Sequence, residues 1–414
     1  MKKKVAIFGG GTTYPVGGHF NLASVSYGST ARRLEKLCRD YMPELETHLV
    51  LTKMADPNSN IETFNQLKAA TAEWCTDERL KAVFYNPAVV DFKPDISVCS
   101  RLSSETSHDL KLLPTEKLIS MFRGSSGFNK KHLFVVGFKA CYGLKEEDVY
   151  KAGLKMLKSN QINLVLANDL QTGINMIITP EEAAYHVTTN RSEALANLVE
   201  MTELRSRLTF TQSTVVSANP EPWSSDRIPD NLRKVVEYLI ERKAYKPFSG
   251  KTVGHFAVTL DDTNFLTSMR KTNFNNIHET GMVRIKTDGP DTVLAYGAKP
   301  SVGGQSQRIV FKDHPGFDCI VHFHCALRDR GPLDYPLPFQ VVSQRAYECG
   351  SHECGKNTST GLSTVGMLEN IKMVMLDNHG PNIVFKKTTD PEQIISIINA
   401  YFDLDTKTGG YQLD

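Results

Sequence analysis

The sequence predicts an α/β protein in two parts, a parallel sheet covered by helices on both faces followed by a second α/β domain. Three observations support this. The 414 residues exceed the length at which one hydrophobic core normally stops growing. In the first half, short apolar runs alternate with helical periodicity, the pattern of strand–helix–strand units. A proline-rich polar stretch, Ser217-Ala-Asn-Pro-Glu-Pro-Trp-Ser-Ser-Asp226, then breaks the pattern, and prolines at 220, 222 and 229 remove donors and fix the backbone. The expected division is residues 1–206, a linker over 207–229, and residues 230–414.

Along the first half, Lys4-Val-Ala-Ile-Phe8 is a buried strand ending in Gly9-Gly-Gly-Thr-Thr13. The turn Ser26-Tyr-Gly-Ser-Thr30 opens a helix running from about Ser29 to Met42. Thr47–Thr52 is a second strand, and Ala82–Tyr85, Leu133–Val136 and Ile162–Ala167 supply more. Sheets of this kind bind ligands at the carboxyl ends of their strands. Thr209–Val216 is strand-like. Beyond the linker, Asp230 is a good N-cap for a helix with Leu232, Val235, Val236, Leu239 and Ile240 on one face. Ile320-Val321 and Met373-Val-Met-Leu376 read as the ends of buried strands.

Composition excludes several classes. Hydrophobic content of 40% and charged content of 23% are ordinary for a globular protein, and a net charge of +2 gives no reason to invoke nucleic acid. No apolar stretch approaches the ~20 residues that span a bilayer. Val5–Phe8 is too short for a signal-peptide core, so a cytoplasmic location is expected. Eight cysteines lie scattered with no Cys-x-x-Cys pair, which fits a reducing compartment rather than a disulfide framework. Cys325, Cys349 and Cys354 read as small buried residues ahead of redox-active or metal-binding groups.

The most informative segment is Cys319-Ile-Val-His-Phe-His-Cys325, followed by Leu376-Asp-Asn-His-Gly380. On a strand, residues i and i+2 share a face, so His322 and His324 can present both imidazoles together. A neighbouring strand can deliver His379. Three neutral imidazoles leave one tetrahedral position of a zinc ion open, the arrangement of catalytic zinc. Half-buried histidines with no ion are the alternative. Gly9-Gly-Gly-Thr-Thr13 is a phosphate-loop candidate, since glycine permits close backbone approach to an anion. A tight strand exit explains it as well, and it completes neither the dinucleotide fingerprint nor a Walker loop.

Residues from about 251 to 384 resemble the class II aldolase/adducin domain. The resemblance rests on Gly254-His-Phe-Ala-Val258, Phe265-Leu-Thr-Ser268, Lys299-Pro-Ser-Val302, the His-Phe-His strand and Asn378-His379-Gly380. It implies an α/β domain with a central, mainly antiparallel sheet. It also implies His322, His324 and His379 as ligands of a divalent metal, zinc foremost, with manganese, iron or cobalt as alternatives. Thr267, Ser268 and Ser301 would bind substrate phosphate, with Arg270 and Lys271 adding positive charge. The implied chemistry is aldol cleavage or epimerisation of a small phosphorylated sugar. One departure stands out. The family's acid/base lies 19 positions before the first metal histidine, and here that position is Gly303. Glu348 and Glu353 are the nearest substitutes by motif context.

Residues of about 4 to 205 resemble phosphopantothenate–cysteine ligase. The set comprises Gly9–Thr13, Ser26-Tyr-Gly-Ser-Thr-Ala31, Asn86–Phe92, Leu110–Lys117, Val136–Lys139, Leu166–Asp169 and Thr189–Ala194, in family order. It implies a Rossmann-like fold and a two-step ligation through an acyl-nucleotide made from ATP or CTP with Mg²⁺. Gly10, Gly11, Thr12, Gly28, Phe138, Lys139, Asn168 and Asp169 would line the nucleotide pocket, and Lys155 would be the catalytic lysine or else a helix-surface lysine. Ser24 stands where the family holds its intermediate with asparagine, and Asn21 is the nearby substitute. Ala140-Cys141 replaces a more usual Glu-Thr. Three readings follow: a fusion enzyme with a ligase-like and a metal-dependent half, which is favoured; an N-terminal half that only binds a nucleotide or phosphopantetheine-like ligand beside an active metal domain; or a non-catalytic interaction protein. Small-molecule substrates are expected, and both resemblances imply homo-oligomers, dimeric or tetrameric.

Overall fold

The computed structural model describes residues 2–95, 105–124, 133–248, 250–303, 306–329, 336–365 and 368–409. Its contacts form two compact units, Met1–Pro180 with Tyr185–Ser206, and Glu181–Ala184 with Arg207–Asp414.

In the first unit, β1 (Lys4–Gly17) and β2 (Phe20–Ser24) precede α1 (Ser29–Tyr41), β3 (Glu46–Leu51), α2 (Phe64–Thr76) and β4 (Leu80–Ala88). A short pair, β5 (Phe92–Pro94) and β6 (Leu112–Pro114), leads to β7 (Phe134–Cys141), α3 (Glu146–Asn160) and β8 (Leu164–Asp169). β9 (Asn175–Ile178), β10 (Ala184–Thr188) and α4 (Arg191–Ser206) complete it. Strands β3, β1, β4, β7 and β8 are parallel, while β2 and β9 join antiparallel. Phe8, Tyr85, Gly137 and Val165 are register neighbours and so share a face. That face carries α2, through Trp74 against Phe8, and α3, whose Gly153 abuts Val165 and Ala167. Gly9 points the other way, where an added Cβ would fall 2.3 Å from Ala31 of α1, and α1 packs on α4. Helices therefore cover both faces.

The second unit begins with β11 (Gln212–Val216), α5 (Asp230–Glu241), β12 (Lys246–Phe248), β13 (Lys251–Val253), β14 (His255–Thr259) and β15 (Asn264–Thr267). Then come α6 (Ile277–Thr280), β16 (Val283–Thr287), β17 (Thr292–Tyr296), α7 (Gln307–Asp313), β18 (Cys319–His322), β19 (Cys325–Leu327) and β20 (Gln340–Val342). α8 (His352–Gly361), β21 (Ser363–Val365), β22 (Leu368–Leu376), β23 (Gly380–Phe385), α9 (Pro391–Tyr401) and β24 (Phe402–Lys407) finish the unit. The main sheet runs β11-β17-β16-β15-β14-β18-β23-β22-β20, with β21 on β22. Its pairs are antiparallel except β11–β17 and β20–β22. Alternation splits the core between two faces: Phe256, Val258 and Val321 pack with α5 and α9 residues, and Ala257, Ile320 and Val384 pack with Val310 of α7.

Two expectations need correction. The segment expected as a linker, 207–229, belongs to the second unit: the strand expected over Thr209–Val216 is β11 of its sheet, and Trp223 is buried in its core, because its apolar side chains have a place to pack. The N-cap of α5 is Pro229, with no side-chain cap, and Asp230 is the first helical residue.

Candidate functional site

Strand β18 delivers His322, and the chain carries His324 just beyond the strand end. The neighbouring β22–β23 turn delivers His379, helped by Asn378, which holds a left-handed φ of 55° that asparagine tolerates. All three histidines are buried, and one nitrogen from each lies within 4.8 Å of the others. His322 Nδ1 donates to the Pro381 carbonyl at 2.8 Å, which leaves its Nε2 as a lone pair. That Nε2 sits 3.3 Å from His379 Nε2. Nitrogens about 2.0–2.1 Å from a shared tetrahedral zinc lie roughly 3.3 Å apart. His324 Nδ1 is buried and has no hydrogen-bond partner among the described residues. The donor set therefore fits a divalent metal. Burial, then the neighbouring His379, holds His322 and His324 well below the ordinary imidazole value, so both are neutral and able to donate lone pairs.

A fourth histidine joins them. His255 on β14 pairs in register with His322, and the two rings lie 4.7 Å apart. Gln307 of α7 hydrogen-bonds its Nδ1. A Cβ at Gly303 would fall 2.3 Å from His255 Cδ2, so the imidazole occupies the space beside the position that lacks an acid. A cavity of about 10 Å³ is lined by His255, His322, His379, Gly303, Gln307 and Cys349, room for about one water. Cys349 Sγ lies 3.4 Å from His379 Nε2, and its N–H donates to Glu181 at 3.1 Å. Next to Glu181, the buried Glu182 pairs with the buried Lys246 at 3.4 Å. The Lys246 charge also disfavours protonation of His324.

Glu348 is half-buried and precedes Cys349. Glu353 accepts the Thr209 N–H at 3.0 Å, a structural use in the first turn of α8. Thr267, Ser268 and Ser301 are buried and come together: Ser301 N–H donates to the Ser268 carbonyl at 2.9 Å. Thr267 Oγ1 lies 3.1 Å from Gln307 Oε1, while the Ser268 hydroxyl is buried without a partner among the described residues. An unspent buried donor suits an anionic ligand. Arg270 and Lys271 stand exposed beside it.

The first unit departs from expectation. Gly9–Thr13 is not a loop: β1 runs through it, aligning Gly9, Gly10 and Gly11 with Asn86, Pro87 and Ala88. The glycines permit close packing, since a Cβ on Gly10 would fall 2.2 Å from Thr52 Oγ1 and one on Gly11 2.2 Å from the Ser24 carbonyl. The Gly11 N–H is already given to Ser26 O. Thr12 is buried, with its hydroxyl bridging Ala88 O and Val90 N. Gly28, with φ of 74°, is the N-cap of α1. Asn21 and Ser24 both lie on β2, paired with Pro15 and Thr12, and their odd separation sends them to opposite faces, so Asn21 does not stand in for Ser24. Phe138 and Lys139 on β7 neighbour Leu166 and Ala167, with Asn168 and Asp169 at the adjacent strand end. Asp169 accepts N–H groups of Leu144, Gln171 and Thr172, and those bonds, Leu144 first, hold its carboxyl below the usual range. Lys155 is exposed on α3.

His255, Cys349, Glu181, Glu182 and Lys246 were not among the residues singled out for the site. A histidine inside the apolar run Val253–Val258 was a usable signal for the first. Cys349 reads from the sequence as a small buried residue ahead of a metal-binding one, and nothing local marked Glu181, Glu182 or Lys246.

Residues 238–389 match the family model for the class II aldolase and adducin N-terminal domain. The chain is 28% identical over 131 residues to the coenzyme A biosynthesis bifunctional protein CoaBC of Thermococcus kodakarensis, a match covering 30% of this chain and 32% of that protein. The chain thus spans about a third of that relative's length. Among solved structures, the DNA/pantothenate metabolism flavoprotein of Streptococcus pneumoniae is 20% identical, with a TM-score of 0.36, covering 48% of this chain and 96% of that one. L-fuculose 1-phosphate aldolase is 18% identical, with a TM-score of 0.31, covering 43% and 84%. Residues 238–389 carry a class II aldolase and adducin N-terminal domain, and the N-terminal region resembles part of CoaBC.

Proposed function

We propose that the chain is a two-part enzyme whose second unit acts on a small phosphorylated sugar with a divalent metal, zinc foremost. The observation that carries this reading is the buried convergence of His322, His324 and His379, one nitrogen of each within 4.8 Å of the others and the His322–His379 pair 3.3 Å apart. A divalent ion held there supplies Lewis-acid polarisation of a substrate oxygen. The Pro381 carbonyl orients His322 by holding its Nδ1 proton. The Ser268 hydroxyl, with Thr267 and Ser301 alongside, is the phosphate end of the site. An interaction protein without catalysis has no physical need to bury three converging imidazoles, which counts against that alternative.

For the first unit, similarity to CoaBC favours nucleotide-dependent ligation of cysteine to 4′-phosphopantothenate, using ATP or CTP with Mg²⁺. Of the residues expected to line the pocket, Phe138, Lys139 and Asn168 are half-buried. Thr12 and Asp169 have already spent their polar groups on the fold.

Two assays on the purified chain test the two halves. Zinc- or manganese-loaded protein is incubated with phosphorylated ketoses and aldoses, and cleavage or epimerisation is followed by NMR. Turnover that disappears in Ser268→Ala and His379→Ala supports the metal reading, and turnover that survives His379→Ala refutes it. Pyrophosphate release from ATP or CTP that requires phosphopantothenate, with a cysteine adduct formed, supports the ligase reading. Its absence under every combination assigns the first unit to binding alone.

A further inference from the structure

We propose that Cys349 is a fourth ligand of the metal, giving a centre of three imidazoles and one thiolate. This rests on the reading that the three histidines hold a divalent cation, and it specifies how the remaining position is filled. Cys349 Sγ lies 3.4 Å from His379 Nε2 and 3.8 Å from its Nδ1. With zinc–sulfur bonds of about 2.3 Å and zinc–nitrogen bonds of about 2.0–2.1 Å, a sulfur and a nitrogen on one tetrahedral ion lie roughly 3.5 Å apart. The sulfur lines the same small cavity as His322 and His379. The independent pointer to an ion is His324 Nδ1, buried and without a partner among the described residues.

The local backbone holds this thiol in place. Cys349 N–H is given to Glu181 at 3.1 Å, and Ser351, which caps α8 through Cys354 N, fixes the other side of the turn. The neighbouring cysteines are turned to other partners: Cys354 Sγ receives Gln344 Nε2 at 3.4 Å, and Cys325 Sγ donates to Ala244 O at 3.3 Å. Gly303 has no side-chain oxygen to compete for the open position, and its carbonyl accepts from Ser306 at 2.8 Å.

On coordination the S–H bond breaks heterolytically. The electron pair stays on sulfur as the metal bond, and the proton leaves to water, so no oxidant or reductant takes part. The thiolate offsets one charge of the cation in a buried setting where the three imidazoles offset none. It also fills the shell, so a substrate oxygen must displace sulfur or enlarge the coordination number.

The test uses the full chain, stripped of metal and reloaded with cobalt(II), as wild type, Cys349→Ser and Cys354→Ser. The expected wild-type spectrum shows four-coordinate ligand-field bands in the visible and an intense sulfur-to-cobalt charge-transfer band in the near ultraviolet. Cys354→Ser keeps that band. Cys349→Ser loses it while retaining ligand-field bands, and binds cobalt at least about tenfold more weakly, since even outer-shell changes cost roughly 10–100-fold. Stoichiometric cobalt with ligand-field bands but no charge-transfer band in wild type overturns the thiolate and leaves the histidine site standing. A charge-transfer band that persists in Cys349→Ser likewise overturns it. Failure to take up cobalt at all overturns the thiolate and the three-histidine reading together.

Discussion

Replacing Gly303 by alanine adds one methyl group where His255 already stands. The new Cβ would lie 2.3 Å from His255 Cδ2 and 2.6 Å from its Nε2, far inside the roughly 3.5–4.0 Å at which such atoms attract. The ring has little freedom to retreat, because Gln307 holds its Nδ1 and its face lies 4.7 Å from the His322 ring. Overpacking of this kind costs about 1–3 kcal/mol. In a His255→Ala background the clash disappears, so Gly303→Ala should then cost under about 0.5 kcal/mol, and the difference is the coupling energy. Urea denaturation of metal-free protein measures it. The chain has two tryptophans, Trp223 in the second unit's core and Trp74 on α2 of the first. In a Trp74→Phe background, the fluorescence of Trp223 therefore reports the second unit alone, and the midpoint shift at constant slope yields the energies. A wild-type midpoint for Gly303→Ala, or an equal loss in both backgrounds, refutes the assignment of His255 to that space. The same geometry means that restoring an acid as Gly303→Glu destabilises the unit unless His255 is shortened as well.

Three other outcomes are expected. His322→Ala with His324→Ala removes tightly bound zinc, measured by elemental analysis after dialysis, and full stoichiometry in the double variant contradicts the ligand assignment. In metal-free protein, burial holds His255, His322 and His324 well below the ordinary value of 6.5. The unfolded chain takes up protons below 6.5 while the folded one does not, so stability present above that pH is lost as pH falls, by up to about 1.4 kcal/mol per pH unit for each histidine. The urea midpoint of the Trp223 signal at about pH 7.5 against about pH 5.5 checks this, and a flat profile contradicts it. Lys246→Met leaves the buried Glu182 without the cation 3.4 Å away and should cost about 3–5 kcal/mol, whereas Lys246→Met with Glu182→Leu should be near neutral. Equal losses in the single and double variants, read from the same denaturation curves, remove the pair from that account.

Much of the architecture is local and was legible. Strand–helix alternation in the first half implies a parallel sheet because each strand must return to the same edge direction through a covering helix, and β3, β1, β4, β7 and β8 are parallel. The period-2 spacing of His322 and His324 at the end of an apolar run, with His379 after another, marks a cluster because strand geometry dictates it. The resemblance to the class II aldolase and adducin domain reaches the matched span from its short motifs.

Other features depend on contacts between residues far apart in the chain. Gly9–Thr13 carries the composition of a phosphate loop, yet those glycines let Thr52, Ala55 and Ser24 approach a continuous strand. Composition cannot distinguish backbone approached by an anion from backbone approached by protein. Trp223 and β11 join the second unit although their stretch has the prolines of a linker. The sequence alone determined the alternation of elements, the three-histidine set and the glycine at 303. Tertiary structure alone decided that His255 fills the space beside that glycine and that Cys349 reaches His379. Strand register and loop docking are set by burial across the whole unit, and no local period encodes them.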